Sequence, residues 1–374
     1  MTQIVIAQYS RSAFQPAHKG ALTKTRPDDL AAAVVKAVIE RADVDPSTIE
    51  DVILGNATPE GEQGLLMGRL VALRAGLPKE VGGATINRWC GSSMSAIHYA
   101  AGQIAMGAGD AFVAAGVESM TRVPMGGFNP MPNPQLMQDV YGVYMGMGET
   151  AENVAERYQM TRESQEAFAV ESHKKAAAAH AAGKFKDEIV TVDGVDTDGC
   201  IRPDTTLEGL AGLKPAFSAS GTVTAGTSSP LTDGAAATLV CSAEYAREHN
   251  LTPLAVIKSM AINGCDPDVM GLGPIGATRK ALKRAGLEIG DIDIVEINEA
   301  FASQSMACIN DLGMDVARVN LDGGAIALGH PLGATGARIT GKAAALLKRE
   351  GKKYALSTQC IGGGQGITTI MEAA

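Results

Sequence analysis

Aromatic residues make up only 4% of this chain, and a single tryptophan is among them. Glycine and alanine are abundant instead, a balance that favours closely packed helices and tight turns. Positive charge is also short: the net charge of −9 argues against broad nucleic-acid or anionic-membrane binding. It leaves room for an anionic ligand held by a local basic patch. The six cysteines (Cys90, Cys200, Cys241, Cys265, Cys308, Cys360) form no CxxC pair and no zinc-type spacing, so no metal site is expected. Without a basic leader ahead of Thr2-Gln3-Ile4-Val5-Ile6, these thiols fit a reduced interior compartment, and a cytoplasmic location is expected. No apolar run is long enough to span a bilayer. What remains, 45% hydrophobic and 20% charged over 374 residues, is a globular composition with enough chain for two or three compact units.

The elements alternate. Gln3–Gln8 reads as a strand and Asp28–Ala42 as a helix with Pro27 at its first turn. Asp51–Gly55, Ala84–Ile86 and Ala111–Ala115 are short β-rich runs between alanine-rich helical stretches. The rhythm resumes after Pro253 with Ala255–Ile262, a helix over Thr278–Ala285, Ile292–Ile297 and Tyr354–Thr358. Such alternation predicts an α/β architecture with mainly parallel strands. There is an internal echo: Ile49–Asn56 resembles Gly290–Asn298, and Ile86-Asn87-Arg88 occupies a place like that of Val319-Asn320-Leu321. Two related halves follow from it, each presenting reactive residues at its strand ends. Residues 119–233 break the rhythm with a Pro/Gly/Met-rich loop and a helix from Thr161 as N-cap to Gly183 as stop, and read as an insertion covering the site.

Three motifs carry chemistry. Cys90 lies in Ile86-Asn87-Arg88-Trp89-Cys90-Gly91-Ser92-Ser93-Met94, a strand end, a turn and a helix start. A thiol there is expected to have a lowered pKa. His330, in Gly323-Gly324-Ala325-Ile326-Ala327-Leu328-Gly329-His330-Pro331, has no packing reason to stand in a glycine-rich loop and can take a thiol's proton. Cys360 ends an apolar run and opens into Ile361-Gly362-Gly363-Gly364-Gln365-Gly366, where free N–H groups can hold an oxyanion. The combination points to covalent acyl chemistry. The other four cysteines read as packing, and His18, His98, His173, His180 and His249 as ordinary helix or loop residues. Gly271-Leu272-Gly273-Pro274-Ile275-Gly276 matches the dinucleotide pattern GxGxxG, but no strand precedes it and Pro274 removes a donor, so no nicotinamide site is expected.

In this order and spacing, the stretches Asn87–Ser93, Gly221–Gly226, Asn298-Glu299-Ala300-Phe301-Ala302, Gly323–Ala337 and Cys360–Gly366 resemble the thiolase family along essentially the whole chain. The likeness is nearest to the bacterial 3-ketoacyl-CoA branch of fatty-acid β-oxidation. It implies two similar βαβαβαββ halves in a five-layered αβαβα arrangement with a loop domain inserted in the first half. The corresponding divisions are 1–117 with 233–253, 118–232, and 254–374. It also implies that Cys90 is the nucleophile, His330 its base, and Cys360 the acid/base. Asn298 would hold a water that, with His330, faces the enolate oxygen. The N–H groups of Cys90 and Gly362 would face a second oxyanion. Coenzyme A would enter as a substrate, with no permanently bound cofactor. Phe217, Ser229 and Met147 would line its tunnel with Phe301, and Arg202 would lie near the adenine end, an ordinary surface arginine being the open alternative. A homodimer or homotetramer, and a β-oxidation hydratase/dehydrogenase subunit, are the implied partners. The one departure is Gly146, where the biosynthetic branch typically carries a His, which favours a degradative enzyme over an acetyl-CoA C-acetyltransferase. A non-catalytic lipid-binding or scaffold protein is the reading from another class. The methionines Met120, Met125, Met131, Met137, Met145 and Met147 read as core, as a pliable acyl wall or as a partner surface.

Overall fold

The computed structural model describes residues 2–374. Strand β1 (Ile4–Ser12) runs past the expected end because its polar residues are buried in partnerships. Arg11, for example, pairs with Glu188 at 2.9 Å and Asp198 at 2.7 Å. Helix α1 (Pro27–Ala42) starts on a proline whose missing N–H is not needed there, with Asp28 and Asp29 facing the positive end of the helix dipole. It buries Leu30, Val34, Val35 and Val38 on the sheet. Then come β2 (Asp51–Gly55), α2 (Met67–Arg74), β3 (Gly82–Ile86), α3 (Ser92–Ala105) and β4 (Ala111–Ser119).

Residues 120–231 leave the sheet, apart from Ile189–Val190, which pairs in parallel with Arg11 and Ser12 of β1, and include α4 (Met147–Arg157) and α5 (Arg162–Ala181). Thr161 Oγ1 caps α5 by accepting from Ser164 N at 3.2 Å. The chain returns as β5 (Thr232–Ser242), followed by β6 (Ala255–Gly264), α6 (Gly273–Ala285), β7 (Ile294–Ile297) and α7 (Ala302–Leu312). Helix α8 (Leu332–Glu350) and the hairpin of β8 (Tyr354–Ile361) and β9 (Gln365–Glu372) complete the chain.

The two halves share one topology. In the first, β2 pairs in parallel with β3 and β4, and β5 is antiparallel to β4 and β1, giving the order β3-β2-β4-β5-β1. In the second, β7 is parallel to β8 and to a single bridge at Val319, and β9 is antiparallel to β8 and β6. With Val319 counted as third strand, both halves read 3-2-4-5-1 in their own chain order. The halves join through a short ladder of Val5 with Val256 and Ile6 with Ala255. Helices α3 and α8 pack on each other, and α8 meets strands of both halves. Helices α1 and α2 cover the first half's outer face, and α6 and α7 the second's, so the αβαβα layering expected of the chain is present.

The glycines of the GxGxxG stretch have a packing role. A Cβ on Gly273 would stand 2.1 Å from Gln365 O, so glycine lets α6 begin against β9. That is why the helix starts at Gly273, five residues before the expected Thr278, with Pro274 in its first turn. Among the described residues no helix is long and apolar enough to cross a membrane.

Candidate active site

Cys90 and His330 stand at matched points of the two halves. Each lies two residues before the first residue of a central helix, Ser92 of α3 and Leu332 of α8. Trp89, with φ of +45°, turns the chain just before Cys90, held by Asn87 Oδ1, which accepts its N–H at 2.8 Å. Cys360 is the next-to-last residue of β8, beside the tight turn of Gly362, Gly363 and Gly364. A Cβ on Gly362 would stand 2.4 Å from the Trp89 ring and 3.1 Å from Met147 Sδ, so a larger residue there would have to push the ring aside. The three reactive side chains line one cavity of about 520 Å³, together with Met120, Met125, Met147, Phe217, Ser229 and Phe301.

The imidazole's tautomer follows from its neighbours. Thr335 Oγ1 donates to Pro331 O at 3.0 Å, so its contact with His330 Nδ1 at 2.6 Å is one in which the ring N–H donates. Nε2 then carries the lone pair and faces Asn298 Nδ2 at 3.3 Å. Burial, aided by the positive charge of Arg338, pushes the ring's pKa down to about 3, so the imidazole is neutral and free to accept a proton. Asn298 Oδ1 is buried with no hydrogen-bond partner among the described residues.

The cysteines correct one expectation. Cys90 precedes α3 by a 3₁₀ turn, Trp89–Gly91, and burial raises its pKa to about 11. The N–H groups of Gly362 and of Cys90 itself hydrogen-bond to the sulfur and pull in the other direction without prevailing. Cys360 is raised further, by burial first and then by the proximity of Cys90. The resting pair is thiol and neutral imidazole, because the desolvation of these buried groups outweighs the helix-start field. Alkylation of Cys90 by iodoacetamide is therefore expected to speed up about tenfold per pH unit from about pH 7 to about pH 10. A plateau below about pH 8 would reveal a preformed thiolate–imidazolium pair instead.

Four of the five residues expected at the coenzyme, Met147, Phe217, Ser229 and Phe301, line the cavity. Phe217 and Phe301 meet edge to face at 5.9 Å, and Ser229 N–H donates to Ala300 O at 3.0 Å. Arg202 lies outside it, in a neighbouring pocket of about 50 Å³ with His173 and Cys200 that shares Ser228 and Pro230 with the first. Of the methionines, Met120, Met125 and Met147 line the cavity, whereas Met131 and Met137 are exposed. Gly146 lines it as well, as N-cap of α4. A larger cavity of about 570 Å³ at the far end of α8, among Arg41, Lys342 and Arg349, holds no thiol or imidazole.

Sequence reasoning missed Thr335 and Thr232, whose Oγ1 accepts His330 N–H at 3.0 Å, and Gln359, whose Nε2 donates to Cys90 O. It also missed Glu118. Its sequence signal was a single acid near the end of an otherwise apolar strand, Ala111-Phe112-Val113-Ala114-Ala115-Gly116-Val117-Glu118.

A fold of two like halves, with two thiols and a neutral imidazole around one apolar cavity, defines an acyl-transferring α/β enzyme. The family model described as "Thiolase, N-terminal domain" matches residues 4–244, and "Thiolase, C-terminal domain" matches residues 251–373. The chain belongs to the thiolase family. It is 46% identical to a 3-ketoacyl-CoA thiolase of Bacillus subtilis and 47% identical to one of Idiomarina loihiensis, each match covering all of both chains. Among solved structures it resembles human mitochondrial 3-ketoacyl-CoA thiolase in complex with CoA. That likeness has a TM-score of 0.92 and 38% identity, covering 100% of this chain and 98% of the other.

Proposed function

We propose that the protein is a 3-ketoacyl-CoA thiolase, cleaving a 3-ketoacyl-CoA with coenzyme A to acetyl-CoA and a shortened acyl-CoA. The observation that carries this reading is the convergence of Cys90, His330 and Cys360 on one cavity. Nε2 of His330 takes the Cys90 proton as the sulfur attacks the 3-keto carbon. The bond between C2 and C3 then breaks, its electron pair goes to the thioester enolate, and the Cys360 thiol protonates C2. Acetyl-CoA leaves. The proton on His330 restores the Cys360 thiol, and the thiol of the second coenzyme A then passes its proton to Nε2 of His330 and attacks the acyl group on Cys90, whose sulfur leaves and takes that proton back as the shortened acyl-CoA is released. The steps put negative charge on two different oxygens, and each needs fixed donors. In this reading a water held by Asn298, with His330, serves the enolate, and the N–H groups of Cys90 and Gly362 serve the tetrahedral intermediate, each set contributing about 3 kcal/mol. Met147, Phe217, Ser229 and Phe301 guide the coenzyme, with Arg202 towards its adenine end.

We divide the chain accordingly into a nucleophile half (1–117 with 233–253), a coenzyme-binding insertion (118–232) and an acid/base half (254–374). Thiolysis measured across a chain-length series of 3-ketoacyl-CoAs tests the substrate reading. Activity is expected to rise beyond acetoacetyl-CoA, with Met120 and Met125 as the pliable wall for the acyl chain. Activity confined to acetoacetyl-CoA would favour the condensing acetyltransferase, and none on any substrate a non-catalytic role.

A second copy of the chain is the partner we infer. Strand β3 is half-exposed and ends the sheet, and Leu65, Leu66, Leu70 and Leu73 beside it are exposed, an edge and an apolar patch that call for a cover. Sedimentation of the purified protein as a monomer would refute that inference. The 3-keto substrate arises by oxidation of a 3-hydroxyacyl thioester, so a hydratase/dehydrogenase subunit is the other expected partner, to be sought by co-purification. A cytoplasmic location fits the six free cysteines.

A further inference from the structure

We propose that Glu118 is a positioning residue, whose carboxylate clamps the first turn of α8, and with it His330, onto the half that carries Cys90. Glu118 is buried, and five donors converge on it. Its Oε2 accepts from Ala57 N at 2.9 Å and Gly333 N at 2.8 Å. Its Oε1 accepts from Gln63 Nε2 at 2.7 Å, Thr58 N at 3.2 Å and Asn56 Nδ2 at 3.4 Å. Four of these donors belong to the first half, whereas Gly333 lies in α8, three residues after His330. The carboxylate thus ties the loop after β2 to the start of the helix that presents the imidazole.

The site is built for the ionised group. Five donors and no acceptor among the described residues leave a protonated carboxyl nowhere to donate. Burial pushes the pKa up and the hydrogen-bond donors pull it part of the way back, to about 6, so the group is charged at neutral pH. Negative charge at the N-terminus of α8 also suits the helix dipole. The surrounding glycines let the parts come this close. A Cβ on Gly333 would stand 2.4 Å from Val117 O, and one on Gly116 would stand 2.1 Å from Gly333 O. Ser93 Oγ, in the first turn of α3, accepts Ala337 N–H of α8 at 2.8 Å.

The repeat gives the placement further sense. Gly55 pairs with Gly116 as Ile297 pairs with Thr358. Counting on from these pairs, Asn56 matches Asn298 and Glu118 matches Cys360. Where the second half puts an acid/base thiol into the cavity, the first half puts a carboxylate behind it. Glu118 does not line the cavity, so it acts through the residues it holds.

The inference rests on Cys90 and His330 carrying the acyl transfer proposed above. The test is Glu118→Gln, which keeps the shape but turns an amide NH₂ onto N–H donors. In steady-state thiolysis the KM values for both substrates are expected to stay within about threefold, while kcat and the single-turnover rate of Cys90 acylation fall about 100-fold, as a misplacement near 1 Å costs. Unchanged kcat in the folded variant, or a loss carried by KM, would overturn the clamp. If Glu118→Gln does not fold, Gln63→Met removes one of the carboxylate's five donors, along with the amide's bonds to Thr58 O and Ser119 N–H, and decides by the same split. A tenfold or larger loss in kcat at constant KM supports the clamp, and full activity refutes it. Inactivity of the unmutated protein would instead refute the thiolase reading.

Discussion

Cys90→Ala is expected to lower thiolysis by at least about 10⁴-fold and to abolish the acyl-enzyme altogether. The sulfur is the group proposed to bond to substrate, and nothing else in the cavity can replace it. Without the Cys90 sulfur, the neutral His330 has no nucleophile to activate there, and Cys360 stands near the end of β8 with its own pKa raised by burial. Met147, Phe217 and Phe301, proposed above to guide the coenzyme, still line the cavity, so affinity for coenzyme A is expected to survive. Mass spectrometry after mixing with a 3-ketoacyl-CoA reads the adduct directly. An acyl group found on the variant, or turnover within tenfold of the unmutated protein, would remove Cys90 from the proposed role. The variant should fold, because Ala96, Ala100 and Ala101 already pack α3 and the lost sulfur stands at a cavity wall, where water can take its place on the N–H groups of residues 90 and 362.

Much of this arrangement was legible in the sequence because its chemistry and its periodicity are local. Asp51–Gly55 is a strand in the structure as in the reading, and Cys90, His330 and Cys360 stood out because thiols and imidazoles beside turns and glycines have few packing reasons to be there. The internal echo of Ile49–Asn56 and Gly290–Asn298 pointed to two related halves, and the structure adds that they share one strand order. What escaped were features set by distant contacts. Strand β5, Thr232–Ser242, is buried on both faces and shows no alternation, and α8 carries Gly333, Gly336 and Gly341 in a helix that propensity disfavours. Those glycines sit in the central layer, where a Cβ on Gly336 would stand 2.3 Å from Met94 N and one on Gly341 would stand 2.2 Å from the Tyr9 ring. The lowered thiol pKa expected from the helix start failed for the same reason: the field is local, but the desolvation that outweighs it comes from the assembled pocket.

The complementary variant, Cys360→Ala, is expected to separate the two half-reactions. Attack by Cys90 on an ordinary acyl-CoA forms a thioester and expels coenzyme A, a step in which no carbon is protonated. Cleavage of a 3-ketoacyl-CoA requires a proton at C2 as the enolate departs, and the reading gives that proton to Cys360. Removing a general acid costs about 10²–10⁴-fold in the step it serves. The expected result is thiolysis reduced by about 10³-fold, with exchange of labelled coenzyme A into an acyl-CoA retained within about tenfold. Burial keeps Cys360 protonated at neutral pH, as an acid must be before it donates, and the neighbouring Cys90 strengthens that tendency. The converse holds in the condensing direction, where the same sulfur must first lose its proton, so condensation is expected to suffer at least as much. If the variant cleaved 3-ketoacyl-CoA at the normal rate, a water or His330 would have to be the acid. If it lost exchange and cleavage equally, Cys360 would be holding Cys90 in place and not handling the proton.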